Sequence, residues 1–112
     1  MVTKGYVPDK GDIVWLEFDP QLGHEQKGKR PVLVLSPLAY NKKVGLALFC
    51  PITSHSKGYP FEVKISSKNI SGVVLSDQVK SFDWKSRKAK FAAKAKDSEI
   101  SEVVEKIRTL IA

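Results

Sequence analysis

The chain has 112 residues, 42% hydrophobic and 28% charged, and its 19 Lys+Arg against 12 Asp+Glu give a formal charge of +7. That length predicts a single domain over residues 1–112, and its balanced composition excludes wholesale disorder. No apolar run suits a membrane span, and one cysteine with two histidines excludes an internal disulfide and the common zinc patterns, so a reduced, cytoplasmic domain without metal or cofactor is expected.

Five strands are predicted where the six prolines and seven glycines punctuate the chain. Ile13–Phe18 is apolar except for Glu17 and stops at Asp19-Pro20. Val32–Leu35 is a β-branched and leucine run closed by Ser36-Pro37. Leu46–Ile52 follows a turn-like stretch at Asn41–Gly45. Phe61–Ile65 alternates, with Phe61, Val63 and Ile65 expected inward and Glu62 and Lys64 outward. Val73–Val79 follows Ser71-Gly72. Short strands parted by turn signals predict an antiparallel sheet or small barrel. The period then changes: Ile100, Val103, Val104, Ile107, Leu110 and Ile111 fall on one face of a helix. Asp97 or Ser98 is its expected N-cap. The fold class is mainly β with a C-terminal α-helix.

Charge is unevenly spread. Asp97–Ala112 holds four acids and two bases, which helix electrostatics account for. The basic excess therefore lies before residue 97 and is densest in Lys80–Lys96, where seven bases face Asp83 alone. Such an excess favours polyanions through counterion release, and charge does not separate nucleic acid from acidic protein. A well-solvated surface accounts for the composition equally well.

Chemistry-bearing residues gather in the connection Asp19–Arg30, which mixes acid, base, imidazole and guanidinium. Arg30 precedes Pro31, which biases it to extended backbone at the mouth of the second strand. There it either grips a phosphate or pairs with Glu25 across the loop. His24, Glu25 and Gln26 supply acid–base chemistry in the same loop, and His55 is a second imidazole on a polar turn. Thr53 and Ser54 either bond a phosphate oxygen or close a hydroxyl turn, and Lys57 reads first as a turn lysine. Cys50 reads as a small buried hydrophobe. Trp15 and Phe18 do not share one sheet face, which leaves one of them for stacking; core packing suits Trp15.

Val7–Trp15, Phe18-Asp-Pro20, Gly23–Gln26 with Arg30-Pro31, Leu35-Ser-Pro37, Asn41, Pro51–Thr53, Lys57–Pro60 and Asp77-Gln78 together resemble the MazF/PemK/Kid toxin family along the whole chain. The resemblance implies a small SH3-like antiparallel barrel and a homodimer. It also implies a metal-independent, sequence-selective endoribonuclease that cuts single-stranded mRNA by 2′-hydroxyl attack. The products would be a cyclic phosphate and a 5′-hydroxyl end. An acidic antitoxin would neutralise the toxin, and the pair would form a DNA-binding complex. Position by position, it implies Arg30, Thr53 and Glu25 as catalytic residues, and His24, Gln26, Lys57, Asp77, Gln78 and Phe18 as RNA contacts. The Kid-like arginine two positions before Asp77 is Leu75 here, a departure that shifts weight from Asp77 to Arg30 and Thr53. The competing reading is a non-catalytic basic barrel that binds nucleic acid or poisons a topoisomerase.

Overall fold

The computed structural model describes residues 5–18 and 28–112. Among these, seven antiparallel strands form a sheet that curls into a half-barrel, and a helix follows it. β1 (Asp12–Phe18), β2 (Gly28–Val34) and β3 (Ala47–Thr53) lie side by side at its centre. β4 (Glu62–Ser67) and β5 (Ile70–Leu75) form a hairpin, and β5 pairs with the end of β3 through Ile52 and Thr53. β6 (Lys80–Phe82) pairs with the start of β3, and β7 (Lys90–Lys94) with β1. One strand thus serves two neighbours along the same edge, which is how a sheet turns a corner.

Both faces of the central strands are buried, so their sequences read as continuous apolar runs. Ile13, Leu33, Cys50 and Ile52 join Val63, Val74 and Val103 in one cluster, while Val14, Val32, Val34 and Phe49 join Trp84 in the other. Each fully buried aliphatic side chain contributes about 1.5–3 kcal/mol. Pro31 lies on the part of β2 that pairs only with β1, a position that tolerates a residue without an N–H.

The structure lengthens the second predicted strand at its start and corrects other expectations. β2 begins four residues earlier than predicted and so includes Arg30. The segment Asn41–Gly45, expected as a turn, belongs largely to α1 (Leu38–Val44), which Gly45 closes at φ 83°. Two helical turns are too short to display a period; tertiary bonds hold them. Buried Asn41 donates from Nδ2 to the carbonyls of Pro8 (2.7 Å) and Ser36 (2.9 Å) and accepts from Ser36 Oγ (2.6 Å). The strand predicted over Val73–Val79 stops at Leu75, because Ser76 turns inward and its hydroxyl donates to the Phe61 carbonyl. Lys80–Lys96, with no predicted element, carries β6 and β7 on alternating small and aromatic side chains among lysines.

α2 (Asp97–Ile111) packs Ile100, Val103 and Ile107 against the first cluster. Leu110 and Ile111, expected on the buried stripe, are exposed beyond the sheet. The N-cap is Lys96 and not Asp97 or Ser98: Glu99 reaches back and accepts the Lys96 N–H at 2.9 Å. The same carboxylate accepts the Ser66 N–H at 3.1 Å, tying α2 to β4.

Candidate active site

Arg30 stands on β2 opposite Leu16, half-buried. Pro31 and Ile52 join it in a ridge that borders two concavities. The first, about 550 Å³, is lined by Phe18, Gln78, Lys80, Phe82 and Arg87 as well as Arg30. The second, about 560 Å³, brings Thr53, Ser54, His55 and Trp15 to the other side of Arg30. The two candidates Arg30 and Thr53, far apart in sequence, therefore line one lobe of a single groove.

The Thr53 hydroxyl accepts the backbone N–H of His55 at 3.1 Å. That closes the hydroxyl turn, as the turn reading expects, and among the described residues the hydroxyl proton has no acceptor, which is compatible with donation to an anion. Ser54 Oγ lies 3.4 Å from His55 Nδ1, and the imidazole is exposed on the lobe. Gly72 makes this arrangement possible from below. Its φ is +149°, and a Cβ there would fall 2.3 Å from the Thr53 carbonyl oxygen.

In the first lobe Arg87 is the fixed cation. Its guanidinium sits 4.8 Å from the centre of the Phe18 ring and 4.5 Å from that of Phe82. Nη1 also donates to the Glu17 carbonyl at 3.2 Å. Stacking and hydrogen bonding together hold the charge in one place. Phe18 is thus half-buried, its ring edge on Phe82 at 5.5 Å and its face on Arg87. Trp15 packs partly on the core, as expected, and also lines the second lobe.

Gln78 lines the first lobe, and its N–H bonds the Leu75 carbonyl in the turn after β5. Asp77 is turned elsewhere and lines neither lobe: Oδ2 accepts the Tyr59 hydroxyl at 2.5 Å, and Oδ1 is buried with no hydrogen-bond partner among the described residues. This bond to Asp77 raises the Tyr59 phenol above its ordinary range. Burial first, and the Asp77 carboxylate second, push the Cys50 thiol up to about 12, which suits the inert buried residue expected. Lys57 is exposed and lines neither lobe; its backbone N–H donates to Glu62 Oε2 at 2.9 Å. Together with the Ser56 hydroxyl at 2.6 Å, that bond lowers the Glu62 carboxyl and pins the loop. Glu25, His24 and Gln26 lie outside the described residues; the connection that carries them leaves from Phe18 and returns at its ladder partner Gly28.

Reading the sequence did not single out Lys80 or Arg87. A signal existed for the second: the chain has only three arginines, and Arg87 is the sole one within the lysine-rich run. Two of the three meet in this groove.

Residues 9–111 match the family model described as PemK-like, MazF-like toxin of type II toxin–antitoxin system. The chain is 49% identical over 111 residues to the endoribonuclease toxin MazF of Escherichia coli strain K12, covering 99% of each. It is 32% identical to the endoribonuclease PemK of Escherichia coli, over 92% of this chain and 81% of the relative. Among solved structures it is similar to MazF of Deinococcus radiodurans, with TM-score 0.84, 53% identity, and 95% and 97% of the two chains covered. The MazE–MazF structure from the same organism matches at TM-score 0.85 and 47% identity, over 96% and 97%. With the half-barrel, the groove and these likenesses in agreement, the chain belongs to the PemK-like, MazF-like family of toxins of type II toxin–antitoxin systems.

Proposed function

We propose that this toxin is an endoribonuclease that cuts single-stranded RNA in the groove astride Arg30. The observation that carries the reading is the convergence of Arg30 and Thr53 on one lobe, with Arg87 and Lys80 lining the other. The RNA backbone would lie along the groove with the scissile phosphate beside the ridge. Thr53 donates its free hydroxyl proton to a non-bridging oxygen, and the Arg30 guanidinium stabilises the added charge of the phosphorane. The 2′-hydroxyl gives its proton to a base, for which Glu25 is the candidate, and forms the P–O2′ bond. The P–O5′ bond breaks, and the 5′-oxygen takes a proton from water. A cyclic phosphate and a 5′-hydroxyl end result. Because the nucleophile belongs to the substrate, this route needs no metal ion to generate it.

Gln78 and Phe18 would position bases at the first lobe, and His24 and Gln26 would contact the RNA as the family resemblance implies, while Lys57 and Asp77 contribute only if a second chain or the RNA reaches them. A homodimer suits the surface, where Tyr59, Val79 and Leu48 are exposed apolar side chains. The inhibitor would be an acidic antitoxin segment, which the cationic groove would attract.

The reading is tested with an RNA that the protein cuts, supplied with and without a single 2′-deoxy substitution at the scissile nucleotide, in EDTA. The unmodified strand is expected to give 5′-hydroxyl products and the substituted strand to stay intact. Cutting of both strands overturns the mechanism, and a folded, antitoxin-free protein that cuts no single-stranded RNA overturns the reading itself.

A further inference from the structure

The turn between β6 and β7 has two sides. Phe82 and Arg87 face the groove, whereas Trp84, Lys85 and Lys88 line a separate concavity of about 370 Å³. Tyr6 forms one wall of this second space, and Lys42 at the end of α1 adds a third ammonium group. The frame is rigid. Trp84 Nε1 donates to the Asn41 carbonyl at 3.0 Å, which fixes the indole next to Lys42. Asp83, the acid of the turn, accepts the N–H groups of Lys85 (3.1 Å) and Ser86 (2.9 Å) with Oδ1. Lys88 takes a left-handed φ of 54°, and its N–H bonds the Lys85 carbonyl at 3.0 Å. A non-glycine residue in that conformation costs roughly 1–2 kcal/mol, yet it carries a lysine to the rim. Asp12, which accepts the Tyr6 hydroxyl, is already paired with Lys94 at 2.8 Å.

Three ammonium groups around an aromatic wall form the combination that holds single-stranded nucleic acid, cations on the backbone and a ring for a base. We propose that this concavity is a second nucleotide site, occupied by RNA that leaves the groove at Arg87 and crosses the turn. The proposal rests on the RNA reading of the groove and extends it to nucleotides flanking the cut. RNA is favoured over an acidic peptide because the site lies across one short turn from the groove and presents the half-buried Tyr6 ring as a wall, with Trp84 buried beneath it.

The test compares the wild type with the triple variant Lys42→Gln, Lys85→Gln, Lys88→Asn, the last chosen because asparagine accepts a left-handed φ. Two RNAs share one cleavage site, one barely longer than that site and the other extended by several nucleotides at each end. A 2′-deoxy scissile nucleotide gives an uncut form of each for binding. The variant is expected to bind the extended RNA about tenfold more weakly, with a salt slope shallower by about 2, roughly 0.7 for each lost phosphate contact. Cutting of the short RNA should match the wild type, which also shows that the variant is folded. Should the triple variant not fold, Lys42→Gln and Lys85→Gln singly, each expected at about two- to threefold, carry the same comparison. Equal binding of the extended RNA overturns the second site and leaves the groove reading standing, and so does a loss confined to polyglutamate binding. A wild type that cuts neither RNA overturns the groove reading, and this proposal with it.

Discussion

At the scale of single residues, the site depends on how Thr53 and Arg87 are held. Thr53→Val keeps the shape but removes both the acceptor for His55 N–H and the proton offered to phosphate. Its cleavage rate is expected to fall about 10–100-fold, with Thr53→Ser recovering most of the loss, measured under single-turnover conditions. Gly72→Ala would drive a methyl into the Thr53 carbonyl at 2.3 Å in a strained backbone. A stability loss of about 2–4 kcal/mol is expected by urea denaturation, accompanied by lower activity. Arg87→Lys keeps the charge but loses the planar stack on Phe18 and Phe82. It is expected to raise KM several-fold and leave kcat nearly unchanged. Arg30 was legible as a candidate because a proline follows it; Arg87 was not, because its meaning comes from two rings that the fold brings to it.

At the scale of elements, legibility followed length and period. Strands with two buried faces and a helix with a clear stripe were readable, while α1, β6 and β7 were too short or too rich in lysine. α1 exists because Asn41 satisfies buried carbonyls and holds Trp84, information that no local pattern carries. Asn41→Ala is therefore expected to cost about 2–4 kcal/mol in thermal or chemical denaturation, by leaving the Pro8 and Ser36 carbonyls unpaired, while the Trp84 bond to the Asn41 main chain stays. Glu62 makes a second element-level prediction, since its carboxylate pins the loop Ser54–Pro60 to β4. Its folded-state pKa is lowered, first by the Lys57 N–H and then by the Ser56 hydroxyl. A carboxyl lowered on folding adds stability above its unfolded pKa and loses it as pH falls through the lower folded value. Glu62→Gln should accordingly flatten the decline of stability below about pH 4.5 relative to wild type, read from denaturation midpoints across that range.

For the whole molecule, the net charge of +7 sharpened into a distribution once folded. The acidic residues of α2 sit on the helix packed behind β4, whereas Arg30, Lys80 and Arg87 line the groove. On the proposed RNA reading, this separation is expected to make RNA affinity steeply dependent on salt and to offer an acidic antitoxin a surface to cover. The connection with Glu25 and His24, outside the described residues, is where the sequence says most, through its mixture of acid, imidazole and amide. The lobes on either side of Arg30 are the part where the fold says most, since their linings come from strands far apart in the chain. Both views converge on Arg30. The most direct measurement is the single-turnover cleavage rate of Arg30→Ala against wild type, with a cuttable single-stranded RNA, saturating enzyme and EDTA present. A fall of about 100- to 1,000-fold in a variant that still binds the RNA is predicted; a rate equal to that of wild type would contradict the account.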